Sequence, residues 1–286
     1  MISVEMFSTS IVCFIKSSIM NKSDKLINDE VRPSSKQLDI KVLLNQLLED
    51  GVTFDAEIFF NKWTRSIEIN SPYLLNAFRI LHHFERYWFS ADYVKERFTK
   101  NNICVFDVGV GEGHSLHQFV ERFSTNNVSI DCNGIEIDKN IIAITKKLYP
   151  DINIIDGNIL IKEINNTYDV VFCFELIGNC SLNSDKLLLN KIKDICAHNG
   201  YIFLSIANFL GTEEGEDRAK DYSARLYNSQ SFIKLIKGVF HRDKIEYFGQ
   251  LYPLKRVIPS LNGIWPNPGL DKETDFLIAV IKKSCD

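Results

Sequence analysis

The sequence predicts an α/β fold, a Rossmann-like seven-stranded sheet with helices on both faces and an N-terminal helical region ahead of it. Three observations predict it. Seven short β-rich runs follow residue 100: 103–108, 129–137, 152–156, 169–175, 201–206, 244–250 and 275–281. Helical patterns fill most gaps between them, at 114–124, 139–148, 184–197 and 229–238. The alternation of strand and helix is the signature of a parallel sheet with right-handed crossovers. The third observation is a turn crowded with glycine, DVGVGEG, between the first run and the first of these helices.

The elements can be justified in order. Residues 1–35 hold no periodic pattern and read as a flexible arm, with Met20 as an alternative start. Their longest apolar run, 11–15, is too short for a signal-peptide core, and no run approaches the roughly 20 residues of a membrane span. Residues 36–100 read as a helical cap. QLDIKVLLNQLLED is apolar at helical spacing and stops at Gly51. Ser71-Pro72 opens a second helix, with proline in its favoured first turn. Phe78, Phe84, Tyr87, Trp88, Tyr93 and Phe98 recur along it near helical spacing, a packing stripe or a lid. This region could also serve a homodimer. Residues 101–286 form the main domain. Its last two runs, 244–250 and 275–281, are joined by a proline-rich connection rather than a helix, which predicts an antiparallel pair at the sheet edge, with the last strand antiparallel. That connection holds Trp265 and is long enough to shape a pocket.

Composition narrows the function. A net charge of -4 disfavours a general nucleic-acid binder, so no nucleic-acid or membrane partner is expected. The seven cysteines are odd in number and scattered, without a CxxC pair, which indicates a reducing, cytoplasmic setting. No metal is expected. The acidic loop GTEEGEDRAKDY, 211–222, lacks calcium-loop spacing and reads as solvated.

The glycine turn carries the chemistry. Without a Cβ, glycine lets a ligand approach the backbone closely. A dinucleotide GxGxxG beginning at Gly109 requires glycine at 114, where this chain has His114, and no Gly-Lys-Ser/Thr follows for a P-loop. Asp107 sits two residues before Gly109. A carboxylate there repels a pyrophosphate and attracts an ammonium group. An NAD-linked oxidoreductase is disfavoured for both reasons.

Asp107-x-Gly109-x-Gly111-x-Gly113 resembles the first motif of class I S-adenosylmethionine-dependent methyltransferases, D/E-x-G-x-G-x-G. Later landmarks follow in order. The second run ends in Glu136, an acid placed to accept ribose hydroxyls, with Ile137 to pack on adenine. Asp138 is read instead as a helix cap. The third run ends Asp156-Gly157-Asn158, where the resemblance implies an acid receiving the adenine amino group; Asp-Gly is also a turn signal. Tyr168-Asp169-Val170-Val171 resembles the family's fDlV, with Asp169 structural, and Phe174 falls at the cofactor side of the same strand. The resemblance implies S-adenosylmethionine as cofactor and S-adenosylhomocysteine (SAH) as product.

Acceptor-side features are less specific. No [DNS]-P-P-[YF] motif of DNA amino-methyltransferases is present. Many small-molecule and glycan methyltransferases read E-x-I-E-H after the fourth strand. This chain keeps Glu175 and Ile177 but has Gly178-Asn179 for the last pair. Residues 198–209 and 224–250 resemble segments of methyltransferases of sugar and polysaccharide biosynthesis. The resemblance therefore implies O-methylation of a small molecule or sugar precursor, with Glu175 or His114 as general base and Asn208, Tyr222 and Arg225 around the acceptor. His82, His83 and His117 rank below them. Two alternatives remain open: a catalytically silent S-adenosylmethionine-binding partner subunit, and a methyltransferase acting on protein or RNA.

Overall fold

The computed structural model describes residues 72–124, 128–179, 184–208, 225–251, 263–270 and 274–285. The arm over 1–35, the first predicted helix, the acidic loop and Tyr222 lie outside the described residues. The chain divides into two units, 1–82 with 252–263, and 83–251 with 264–286. Of the first unit, only 72–82 and Gly263 are described, the former as the opening turns of helix α1 (Pro72–Lys95). Proline stands at its first position, as the sequence predicts.

The second unit carries the sheet. Its strands are β1 (Asn102–Val108), β2 (Ser129–Glu136), β3 (Ile152–Asp156), β4 (Tyr168–Phe174), β5 (Cys196–Ala207), β6 (Lys244–Gln250), β7 (Ile264–Pro266) and β8 (Phe276–Lys282). Helices α2 (His114–Phe123), α3 (Lys139–Leu148), α4 (Asp185–Ile195) and α5 (Ser229–Val239) connect them. The spatial order is β3-β2-β1-β4-β5-β8-β6-β7. Strands β3, β2, β1, β4 and β5 pair in parallel, while β8 runs antiparallel to both β5 and β6.

Seven of these strands match the runs read from sequence. The eighth, β7, is three residues from the proline-rich connection, paired antiparallel to β6. It carries Trp265 and forms the sheet edge, so the β6–β8 pair is interior to it. The connection was too short in β-forming residues to register as a run.

The core explains why the central runs are apolar throughout. Parallel strands covered on both faces lose the polar half of the alternation. In β1, Ile103 and Val105 face one layer with α1 and α2, while Phe106 and Val108 face the other, with α4 and α5. Strand β5 divides likewise, Tyr201 and Phe203 against Ile202, Leu204 and Ile206. The aromatic stripe of α1 packs directly on the sheet: Tyr87 lies 4.9 Å from Phe172, Phe89 4.9 Å from Phe248 and Tyr93 5.7 Å from Phe203, between ring centroids. Packing is thus one of its roles.

Local signals hold at helix starts. The Asp138 side chain accepts from the backbone N–H groups of Asn140 and Ile141, capping α3, and Asn228 with Ser231 forms a capping box on α5. Replacing Asp138 with alanine orphans those two N–H groups. The expected loss is about 1 kcal/mol, read as a lower urea midpoint with an unchanged slope.

Candidate active site

Because β1 to β4 are parallel and in register, their carboxyl ends share one edge of the sheet. Asp107 pairs with Gly134 on one side and Phe172 on the other, and Glu136 pairs with Asp156. The crevice outside such strand ends is where open α/β sheets bind ligands. The sequence places a carboxylate at or just past each of the four ends: Asp107, Glu136, Asp156 and Glu175.

The glycine turn follows β1. Gly109, Gly111 and Gly113 have φ of 78°, 56° and 78°, a region that side chains with a Cβ avoid. At Gly113 an added Cβ would also meet Thr145 Cγ2 at 2.7 Å, so α3 packs against bare backbone. The amides of Gly109 and Val110 donate to the Ile135 carbonyl at 2.9 and 3.2 Å, which ties the turn to β2. Helix α2 starts directly after Gly113, which has no side chain to cap it.

Among the described residues, Glu136 is held by backbone N–H groups. Its Oε2 accepts from Gly111 N at 3.1 Å, and Oε1 from Ile137 N and Asp138 N at 2.7 and 3.1 Å. Oε1 thus accepts two bonds and Oε2 one, which leaves a second lone pair on Oε2. Beside it Ile137 is 65% exposed, an apolar surface next to a fixed acid. Asp156 is exposed at the end of β3. Gly157 has φ 148° and donates to the Glu136 carbonyl at 2.9 Å. Asn158 uses its side-chain oxygen locally, accepting from Leu160 N at 2.9 Å.

Asp107 is buried, and Tyr87 of α1 donates to its Oδ2 at 2.6 Å. Burial pushes its carboxyl up to about 7; the Tyr87 bond opposes this, and the charge of Glu136 adds to it. Burial likewise raises the Tyr87 hydroxyl well above its ordinary value, helped by the neighbouring Asp107. The Tyr87 ring lies 5.0 Å from Phe174, edge to face.

At the end of β4 the backbone is strained. Glu175 adopts φ 58°, uncommon for a residue with a side chain and typical of functional turns. Its N–H donates to Ser205 O at 2.9 Å, and its carbonyl accepts from Asn179 Nδ2 at 2.6 Å. Its Oε1 accepts from Nη2 of Arg86 at 3.0 Å, and Oε2 lies 3.6 Å from His83 Nε2. Arg86 is fully buried, stacks over Phe276 at 4.2 Å, and donates from Nε to Gln250 Oε1 at 2.7 Å. Gln250 in turn donates to Glu85 at 3.0 Å.

The Gly178-Asn179 pair has a structural reason. Gly178 has φ 89°, and a Cβ there would run into the carbonyl oxygen of Arg225. Arg225 N donates to Gly178 O at 2.9 Å, and its guanidinium grips Asp185 from Nε and Nη2 at 2.9 and 2.5 Å. Tyr227 also donates to Asp185. Burial alone would raise the Asp185 carboxyl, but the bonds from Arg225 and Tyr227 outweigh it and hold it below the ordinary value. Arg225 therefore anchors the loop after β4 to the segment before α5.

Other sequence-predicted residues fall as follows. His114 is bracketed by the Tyr149 hydroxyl at 2.7 Å and Glu112 at 3.1 Å, partners it does not share with Glu175. Asn208 ties the end of β5 to the start of β8, through Asp275 O at 2.8 Å and Thr274 O at 2.9 Å. Sequence reasoning missed Arg86 and Gln250 and read Tyr87 only as part of a stripe. One signal was visible: a cation inside an aromatic helical stripe needs a buried partner.

Three comparisons bear on this arrangement. Residues 106–204, from late in β1 to late in β5, match the family described as a methyltransferase domain. Among solved structures, the plantazolicin methyltransferase BamL, in complex with a triazolic desmethylPZN analog and SAH, superposes with a TM-score of 0.53 at 15% identity. It covers 80% of this chain and 96% of its own. BpumL, another plantazolicin methyltransferase, with a monoazolic analog and SAH, gives 0.52 at 18% identity, with 88% and 100% covered. The protein bound to the Haloferax volcanii Trm112 methyltransferase activator gives 0.51 at 12%, with 73% and 94% covered. At these identities the likeness establishes the shared fold. No curated protein matches the chain in sequence.

Two outcomes are expected. Gly178→Ala forces a Cβ against Arg225 and strains φ, lowering stability by about 2–3 kcal/mol, measurable by urea denaturation. Asp107 carries its proton up to about pH 7 when folded, against an ordinary value of 3.8. Its contribution to stability is complete below about pH 4 and is lost as pH rises through about 7. In Asp107→Asn, that part of the decline between pH 4 and 8 disappears from the thermal midpoint.

Proposed function

We propose that the chain is an S-adenosylmethionine-dependent methyltransferase that O-methylates a small molecule or a sugar precursor. The observation that carries the cofactor assignment is the ordered set of strand ends. Asp107 beneath three positive-φ glycines, Glu136 fixed by three backbone N–H groups, and Asp156 beside them match in sequence the amino-acid, ribose and adenine contacts of the resembled family. The match of residues 106–204 to a methyltransferase domain, and SAH bound in BamL and BpumL, support the same reading.

Each group has a physical task. Asp107 answers the ammonium of the amino-acid end, and the glycines let its carboxylate end meet backbone N–H groups. The remaining lone pair of Glu136 Oε2 accepts a ribose hydroxyl, and Ile137 supplies an apolar face for adenine. Asp156 accepts from the adenine amino group, with Gly157 leaving room. Phe174 borders the methyl, beside the Tyr87 ring. Methyl transfer itself needs alignment and exclusion of water more than acid–base help to the leaving thioether. The hydroxyl acceptor does need a proton taken from it. The small-molecule or sugar acceptor rests on the E-x-I and 198–250 resemblances together with the acidic net charge.

Calorimetric and thermal titrations test the cofactor. SAH is expected to raise the thermal midpoint and NAD to leave it unchanged. Glu136→Gln, which loses charge-assisted bonds, is expected to weaken SAH by about tenfold or more. A chain stabilised by NAD and indifferent to SAH would sink this reading.

A further inference from the structure

A cavity of about 310 Å³ lies at the end of the sheet away from the glycine turn, lined by Tyr93, Arg97, Tyr201, Lys244, Glu246 and Lys282. Tyr93 comes from α1 and Arg97 from the turn just after it. The other side is one row across three strands: Tyr201 of β5 pairs with Lys282 of β8, and Lys282 with Lys244 of β6. Lys282 shares its face with Ile278 and Val280, and Lys244 with Phe248, so the row points toward the layer that holds α1. Tyr201 is four residues before Ser205, the partner of Phe174. That sets the cavity about 13 Å back along the strand from the cofactor edge.

The charges in it are placed at a cost. Two lysines directly opposite each other on neighbouring strands repel. Lys244 is bonded to Glu246 at 2.8 Å, a bond that outweighs burial and holds the Glu246 carboxyl below its ordinary value. The Lys282 ammonium has no acid partner among the described residues and lies 5.8 Å from the Tyr201 ring centroid. Arg97 stacks 3.8 Å over the Tyr93 ring, and its Nη1 donates to Tyr93 O and Glu96 Oε2, both at 3.0 Å. Its Nε–Nη2 edge bonds nothing among the described residues. That edge is the planar fork that meets two oxygens of an oxyanion at once. Tyr93 and Tyr201 are buried and meet edge to face at 5.7 Å, an apolar base beneath the three cations. Lysines that only blunt a sheet edge need neither the rings below them nor an arginine across from them.

We propose that this cavity binds a soluble phosphate monoester, its phosphate held by Arg97, Lys282 and Lys244 and its organic part set against the tyrosine rings. Three cations face one carboxylate, in a chain of net charge -4, and a dianion answers that local surplus. A fork and two point charges suit the three oxygens of a phosphate better than the two of a carboxylate. The site goes beyond the cofactor assignment and does not depend on it.

The test is calorimetry of the full chain with phenyl phosphate and with inorganic phosphate, at low salt, with and without saturating SAH. Phenyl phosphate is expected to bind the more tightly, and to weaken as salt is raised. Lys282→Gln and Arg97→Gln each lose a charge-assisted contact, and each is expected to weaken phenyl phosphate about tenfold. Lys237→Gln, an exposed position on α5 across the sheet, leaves it unchanged, and so does SAH. The proposal is overturned by a wild type that takes up no phenyl phosphate, or by equal weakening in Lys237→Gln, which marks unspecific attraction. Competition by SAH also overturns it, since the phosphate then sits in the cofactor crevice. So does capture of the chain by phosphatidic acid vesicles without any binding of the soluble ester.

Discussion

Four carboxylates at one edge of a parallel sheet are the constraint on which the rest of the site depends. Parallel pairing of β1 to β4 brings Asp107, Glu136, Asp156 and Glu175 to the same side, where like charges raise one another's cost. The fold resolves each differently. Asp107 is buried under Tyr87 and held near neutrality, its carboxyl pushed up to about 7. Glu136 accepts hydrogen bonds from three backbone N–H groups. Glu175 is paired with a buried guanidinium. Asp156 is left in water. Four environments for one functional group give four chemistries along one edge.

How much of this could be read beforehand follows from the range of the forces involved. The strands and helices were legible because burial on both sheet faces writes continuous apolar runs. Asp138 was legible as a cap because capping is local, two and three residues from its donors. The glycine turn was legible because positive φ admits few residues. Glu175 was legible as a strand-end acid. What it bonds to was not, since Arg86 lies 89 positions away in sequence and Gln250 a further 164 from Arg86. Strand β7 was missed because three residues are too few to show a periodicity.

The Gly178-Asn179 pair illustrates a different limit. Read against E-x-I-E-H, it is a loss of an acid and a base. In the structure it is a gain of backbone geometry: glycine admits the Arg225 carbonyl, and asparagine closes a hydrogen bond to Glu175 O. The same loop is tied by Asp185 to Arg225 and Tyr227. Arg225 is read from sequence as an acceptor contact, and its guanidinium is engaged with Asp185. A motif position can therefore be vacated for packing.

Helix α1 bonds two of the four strand-end acids. Arg86 and Tyr87 are consecutive, yet one bonds Glu175 at the end of β4 and the other bonds Asp107 at the end of β1. Strands β1 and β4 are neighbours in the sheet, so one helical turn spans both carboxylates. Phe174 lies between them, within 5.0 Å of the Tyr87 ring and 5.9 Å of the Arg86 guanidinium. Any shift of α1 along its axis would break both hydrogen bonds together, because neither donor can move without the other. Asp107 and Glu175, at the ends of neighbouring strands, are thereby positioned by the same rigid element.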